Sequence, residues 1–228
     1  MIFLKPQRDV ANKVKGFYLR LANDKHHRYL SWEHCYDYFG QDVIDLDKAC
    51  LHMSFYLASW GMYRGSSFLL WKDYLIHKEV VKRLLKHKHL RKVNADYSDS
   101  DIGEIIELCD WIRGWYKNNV GEINGVEKEV NASDTLVTKI VLGALGCVPA
   151  YDRYFIDGLR EVGVNPFRPS QDGIMVLVNF YMNHRKQFDR LQAKIKTRGG
   201  LPYPAMKLID MYFWQIGFEL DSTKEAEQ

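Results

Sequence analysis

Between Thr138 and Arg160 the sequence reads TKIVLGALGCVPAYDRYFIDGLR. The stretch predicts an apolar helix, a break at Gly146-Cys147-Val148-Pro149, and a second helix that opens on an acid, Asp152. At 100° per residue Asp152 shares a face with Phe155, Ile156 and Leu159. A carboxylate on an apolar face at a helix start feels two opposed effects. Desolvation favours its neutral form, while the helix dipole and free N–H groups favour the anion. Its simplest role is that of an N-cap. Its chemical role would be to stabilise positive charge developing on a bound substrate. The nearest upstream amine is Lys139. It falls on the side of its helix away from Leu136, Val137, Ile140 and Val141, which points it to solvent or to a nucleic acid.

A second constellation is aromatic. Met53, Tyr56, Trp60, Tyr63, Arg64, Ser67 and Trp71 lie on one face if the helix continues through Gly61. An enzyme that acts on a base must take it out of the stack and hold it between flat surfaces. Trp60, Tyr63, Arg64 and Tyr151 are the candidates for that pocket, with packing into the core as the other use of such a stripe. Cations could neutralise phosphates, which makes binding salt-dependent. The basic run from Lys82 to Lys92, in particular Lys82 and Lys86, supplies them, as do Arg153 and the loop at Arg198. A solvated helix face is the other reading of that run.

The order of apolar helix, short turn, Val148-Pro149-Ala150-Tyr151-Asp152 and apolar helix resembles the catalytic corner of helix-hairpin-helix DNA glycosylases. The resemblance covers about Thr138 to Leu159. It implies a DNA N-glycosylase with two helical lobes around a cleft, acting on double-stranded DNA with a flipped base. Asp152 would then stabilise the oxocarbenium-like sugar, and Lys139 would be the amine used by strand-cleaving members. Ala132 to Val137 stands where that family has a Leu-Pro-Gly-x-Gly hairpin. The pattern is also similar to bacterial anti-phage glycosylases that remove modified bases. Two other expectations are kept: a non-catalytic helical module that binds nucleic acid through the Lys82 to Lys92 face, and a toxin ribonuclease of the HEPN type, which the Arg83 and His89 spacing resembles.

The elements that must position these residues read as helices throughout. Predicted helices run from Val10 to Asn23, from Ser31 as cap to Tyr38, from Leu46 to Trp60, and from Ser66 to about His89. Further ones run from Ile102 to Lys117, from Ser133 or Asp134 to Leu145, from Pro149 to Val162, from Ser170 to Lys196, and from Pro204 to Gly217. Leu46 to Trp60 reads as the central helix, apolar on nearly all sides. No alternating β-branched run occurs, so the fold class is all-α: a single domain over 1–228, with a lobe boundary near 118–132 and a disordered tail at 221–228.

Composition fits that picture. The chain has 228 residues, 46% hydrophobic and 27% charged, with a net charge of only +3. Aromatics reach 14%, enough for a large aromatic core or for stacking surfaces. No stretch is long and apolar enough for a membrane span, and Met1 to Leu4 passes at once into polar sequence. A cytoplasmic monomer without membrane contact is the expectation. The four cysteines form no C-x-x-C pair, and no metal motif or cofactor fingerprint is present, so neither a metal nor a cofactor is expected.

Overall fold

The helix Ala205–Ala226 is the element on which the others are assembled. Its stretch from Leu208 to Ile216 is almost entirely buried. The computed structural model describes residues 9–123, 125–165 and 167–226. Among them, ten α-helices occur in order: α1 (Val10–Asn23), α2 (Leu30–Phe39), α3 (Leu46–Ser59), α4 (Lys78–Lys86), α5 (Asp99–Asn119), α6 (Asp134–Ala144), α7 (Arg153–Val162), α8 (Gln171–Asn183), α9 (Arg185–Lys194) and α10 (Ala205–Ala226). The fold is all-α. Among the described residues the one sheet is a hairpin of two-residue strands, β1 (Glu122–Ile123) and β2 (Val126–Glu127). One core cluster joins residues from Val10 to Ile216, and it includes Val120, Ile123, Val130 and Ala132 from the 118–132 segment.

Helices α7 and α10 approach each other closely. A Cβ on Gly158 would sit 1.9 Å from the Phe213 carbonyl oxygen, and one on Gly217 would sit 2.0 Å from that of Tyr154. Only glycine lets the two backbones meet at this distance.

Several boundaries differ from expectation. The long helix expected from Ser66 to His89 is broken into 3₁₀ turns at Phe68–Trp71 and Tyr74–His77, the helix α4, and a further turn at Lys88–Leu90. Ser67 and Asp73 each accept a backbone N–H two residues on, and so end the regular spiral locally. Ser31 is not a cap: it lies inside α2, and its hydroxyl is buried without a partner. Helix α3 is not buried on all sides, since Leu51 and Phe55 are exposed; α6 is, along its whole Leu136–Ala144 stretch. Pro149 lies before α7 rather than in it. The helix expected from Ser170 to Lys196 is interrupted at His184, whose ring nitrogen bonds the Phe180 carbonyl at 2.8 Å.

The tail is not disordered at 221–226: Asp221 takes the Arg153 guanidinium and, at 3.0 Å, the Tyr154 hydroxyl, so α10 continues. Residues 227 and 228 lie outside the described residues.

The N-terminus of α5 carries a capping box between Ser98 and Asp101. The Lys92 ammonium and the Ser98 hydroxyl hold the Asp101 carboxyl down at about 2. A depressed carboxylate pKa adds stability above the ordinary value near 4, and that stability is lost as pH falls towards 2. Asp101→Asn is therefore expected to cost roughly 1 kcal/mol at neutral pH. Urea denaturation at pH 7 and pH 2.5 checks it: the difference between wild type and variant should shrink at the lower pH.

Candidate active site

The corner expected around Asp152 is built by hydroxyls on α6. Thr138 Oγ1 accepts the Tyr151 N–H at 3.0 Å, and Thr135 Oγ1 donates to the Tyr151 carbonyl at 2.8 Å. The residue before the acid is thus clamped at both ends of its backbone. Asp152 then caps α7: its Oδ1 accepts the Phe155 N–H at 3.1 Å.

The other carboxylate oxygen faces Lys139. Nζ lies 3.3 Å from Asp152 Oδ2, with side-chain exposures of 5% and 14% respectively. The same ammonium donates to the Trp60 carbonyl at 3.3 Å and lies 5.3 Å from the Trp60 ring centroid. Lys139 is therefore neither solvated nor turned outward. Leu136 to Ala144 are all buried, so α6 has no outer face in that stretch for a lysine to occupy. Removing one partner of such a pair leaves an uncompensated buried charge, at a cost of roughly 3–5 kcal/mol.

A second buried ion pair lies against the first. Lys207 Nζ is 2.7 Å from Asp210 Oδ2, with exposures of 4% and 5%. Asp210 Oδ1 accepts the Ala150 N–H at 2.9 Å and so fixes the turn two residues ahead of Asp152. Burial pushes the Asp210 carboxyl up, and Lys207 acts against that shift. The Lys207 ammonium is 5.4 Å from the Trp60 ring. Trp60 therefore has two ammonium groups within cation–π range, and its indole N–H is buried without a partner. Neither Lys207 nor Asp210 was singled out from the sequence. A charged pair three residues apart inside Met206 to Trp214, otherwise apolar, was the available signal.

The aromatic stripe does not form one face. Helix α3 ends at Ser59 in a Schellman motif: Gly61 N–H bonds Ala58 O at 3.0 Å and Met62 N–H bonds Leu57 O at 2.9 Å, with Gly61 at φ 75°. Trp60 stacks on Tyr29 at 4.5 Å and packs edge-on to Trp214. Tyr63 is tied to Ser54 at 3.1 Å and to buried His77 at 2.9 Å. Burial pushes the His77 imidazole down to about 3, so this link is neutral. Arg64 is exposed and lines a different surface cavity. Tyr151 is buried, and its hydroxyl has no partner. The structure thus brings Asp152, Lys139, Trp60 and the Tyr151 backbone together, and places Tyr63 and Arg64 apart from them.

The expected phosphate contacts are scattered. Arg153 pairs with Asp221, and Lys82 with Glu79 at 2.7 Å. The Arg198 guanidinium bonds the Lys25 carbonyl, while its backbone N–H bonds Glu33 at 2.8 Å. Lys82, Arg83 and Lys86 flank a shallow depression of about 370 Å³ floored by Trp111 and Trp115. Arg83 rests on Trp111 at 5.3 Å, and His89 is held by Glu104 at 2.9 Å.

Among the described residues, no group of three or more His, Cys, Asp or Glu is placed to hold a metal. Among them, too, no helix is long and apolar enough to cross a membrane. The four cysteines are free and buried. No protein-family model, curated protein or solved structure matches this chain.

Proposed function

We propose that this chain is a DNA glycosylase that hydrolyses the N-glycosidic bond of a modified or damaged base. The observation that carries the reading is the Lys139–Asp152 pair, held 3.3 Å apart at the bend between α6 and α7 beside Trp60. The partly exposed edge of Asp152 faces the sugar. As the C1′–N bond breaks, the departing base takes the bonding electrons and the sugar gains oxocarbenium character. The Asp152 carboxylate stabilises that charge and accepts a proton from the attacking water. The water oxygen bonds to C1′, and the proton passes to the base nitrogen, giving free base and an abasic sugar. Lys139 holds the Asp152 carboxyl in place, with its ammonium 3.3 Å from Oδ2. Its ammonium is bound by Asp152 and the Trp60 carbonyl, so water is the nucleophile and the strand stays intact until treated with base. Lys82 and Lys86 on α4 are the contacts for the DNA backbone.

The test is to incubate the chain with duplexes bearing a panel of modified bases, treat with alkali, and resolve the strands. Breaks at the modified position after alkali alone are expected, with no protein–DNA adduct trapped by borohydride. Absence of breaks on every substrate would overturn the reading. An adduct lost in Lys139→Met would reassign the nucleophile to the amine.

A further inference from the structure

A surface cavity of about 340 Å³ lies between the Gly61–Phe68 loop, the segment following β2, and the start of α6. Its size falls at the lower end of small-molecule sites, which enclose roughly 300–1,000 Å³. Its lining mixes apolar and polar residues. Met62, Phe68 and Leu136 supply an apolar side. Arg64, Lys128, Asn131 and Ser66 supply a polar side. Among the described residues, none of these four side chains makes a hydrogen bond or ion pair. The one carboxylate at the rim, Glu129, is 3.1 Å from Lys117. The Ser67 hydroxyl is taken by the Leu69 N–H, and the Ser133 hydroxyl by the Leu136 N–H. What remains is two unpaired cations and two neutral polar groups, in a lining that also includes the apolar Met62, Phe68 and Leu136.

We propose that this cavity binds a phosphorylated nucleoside. Arg64 and Lys128 contact the phosphate, where charge-assisted bonds are strongest. The base lies on Met62, Phe68 and Leu136, and Asn131 and Ser66 bond its polar edge. A bare phosphate would leave the apolar wall wet, and an uncharged ring would leave both cations without a partner. The nucleotide is either free or part of a strand. The inference extends the glycosylase reading without depending on it. Gly61 follows Trp60, so a nucleotide seated here is adjacent in the chain to the Lys139 contact.

Isothermal titration calorimetry of the full chain at low salt provides the test. The probes are deoxynucleoside 5′-monophosphates, the matching nucleosides, and a short single-stranded oligodeoxynucleotide. A monophosphate or the oligonucleotide is expected to bind at least tenfold tighter than any nucleoside. The Arg64→Ala/Lys128→Ala double variant should lose at least tenfold of that affinity. Its melting temperature should be unchanged, because both side chains are exposed and unpaired. Binding of the oligonucleotide alone would identify the strand as the source and uphold the site. Equal binding of nucleoside and monophosphate, no binding of either phosphorylated probe, or undiminished binding by the double variant would each overturn it. Asp152→Asn should bind the same probes as wild type. A chain that binds nucleotide here yet releases no base would end the glycosylase reading and leave this site standing.

Discussion

Asp152→Asn is expected to lower base release by roughly 100- to 1,000-fold, the usual effect of deleting one preorganised group that faces developing charge. The amide keeps the cap, because its oxygen still accepts the Phe155 N–H as Asp152 Oδ1 does at 3.1 Å. It also keeps the position, because Tyr151 stays clamped by Thr135 and Thr138. What it loses, on the proposed mechanism, is the carboxylate that would face the sugar, and with it the acceptor for the proton of water. Lys139, 5% exposed, is then left with the Trp60 carbonyl and no anion, so a fall in melting temperature accompanies the loss. Single-turnover release, measured well below that melting temperature on a substrate identified by the alkali assay, separates the two effects. Release at the wild-type rate would remove Asp152 from the mechanism.

Gly158→Ala is expected to lower stability strongly. The added methyl would lie 1.9 Å from the Phe213 oxygen and 2.7 Å from its carbonyl carbon. Both atoms belong to α10 backbone, so no side chain can swing aside. Overpacking of this kind costs roughly 3 kcal/mol, and more where backbone must move. Whole domains have only about 5–15 kcal/mol in reserve. For a chain of this size the melting temperature should fall by roughly 6–12 °C. Gly103→Ala on α5 is the control. A Cβ there meets nothing within 4 Å, and the substitution should stabilise the helix by roughly 0.5–1 kcal/mol. Thermal melts of the two variants should therefore move in opposite directions. Equal melts would mean that α7 and α10 can separate slightly without penalty.

The fold class was legible because helical periodicity repeats along the whole chain and no alternating pattern competes with it. The Asp152 cap was legible too, since an acid at the start of an apolar helix has few other uses. Lys139 was misplaced because a helical wheel assumes one inner and one outer face, and α6 is buried all round. The stripe through Trp60, Tyr63 and Arg64 failed at Gly61, where the chain leaves the helix with positive φ. Gly158 and Gly217 carried no readable signal, because a close approach between two backbones depends on pairing that only the folded chain reveals. The Lys207–Asp210 pair sat in view at three-residue spacing, but its burial against Trp60 is a tertiary fact.

The contact of α10 with α7 has a consequence for synthesis. The Asp152 corner is complete in sequence once α7 has been translated, yet the Ala150 N–H waits for Asp210, the Gly158 backbone for Phe213, and the Tyr154 carbonyl for Gly217. A chain growing from its N-terminus therefore carries an unfinished corner until about sixty further residues have left the ribosome. Base release, if this corner performs it, switches on only once α10 has arrived to complete it.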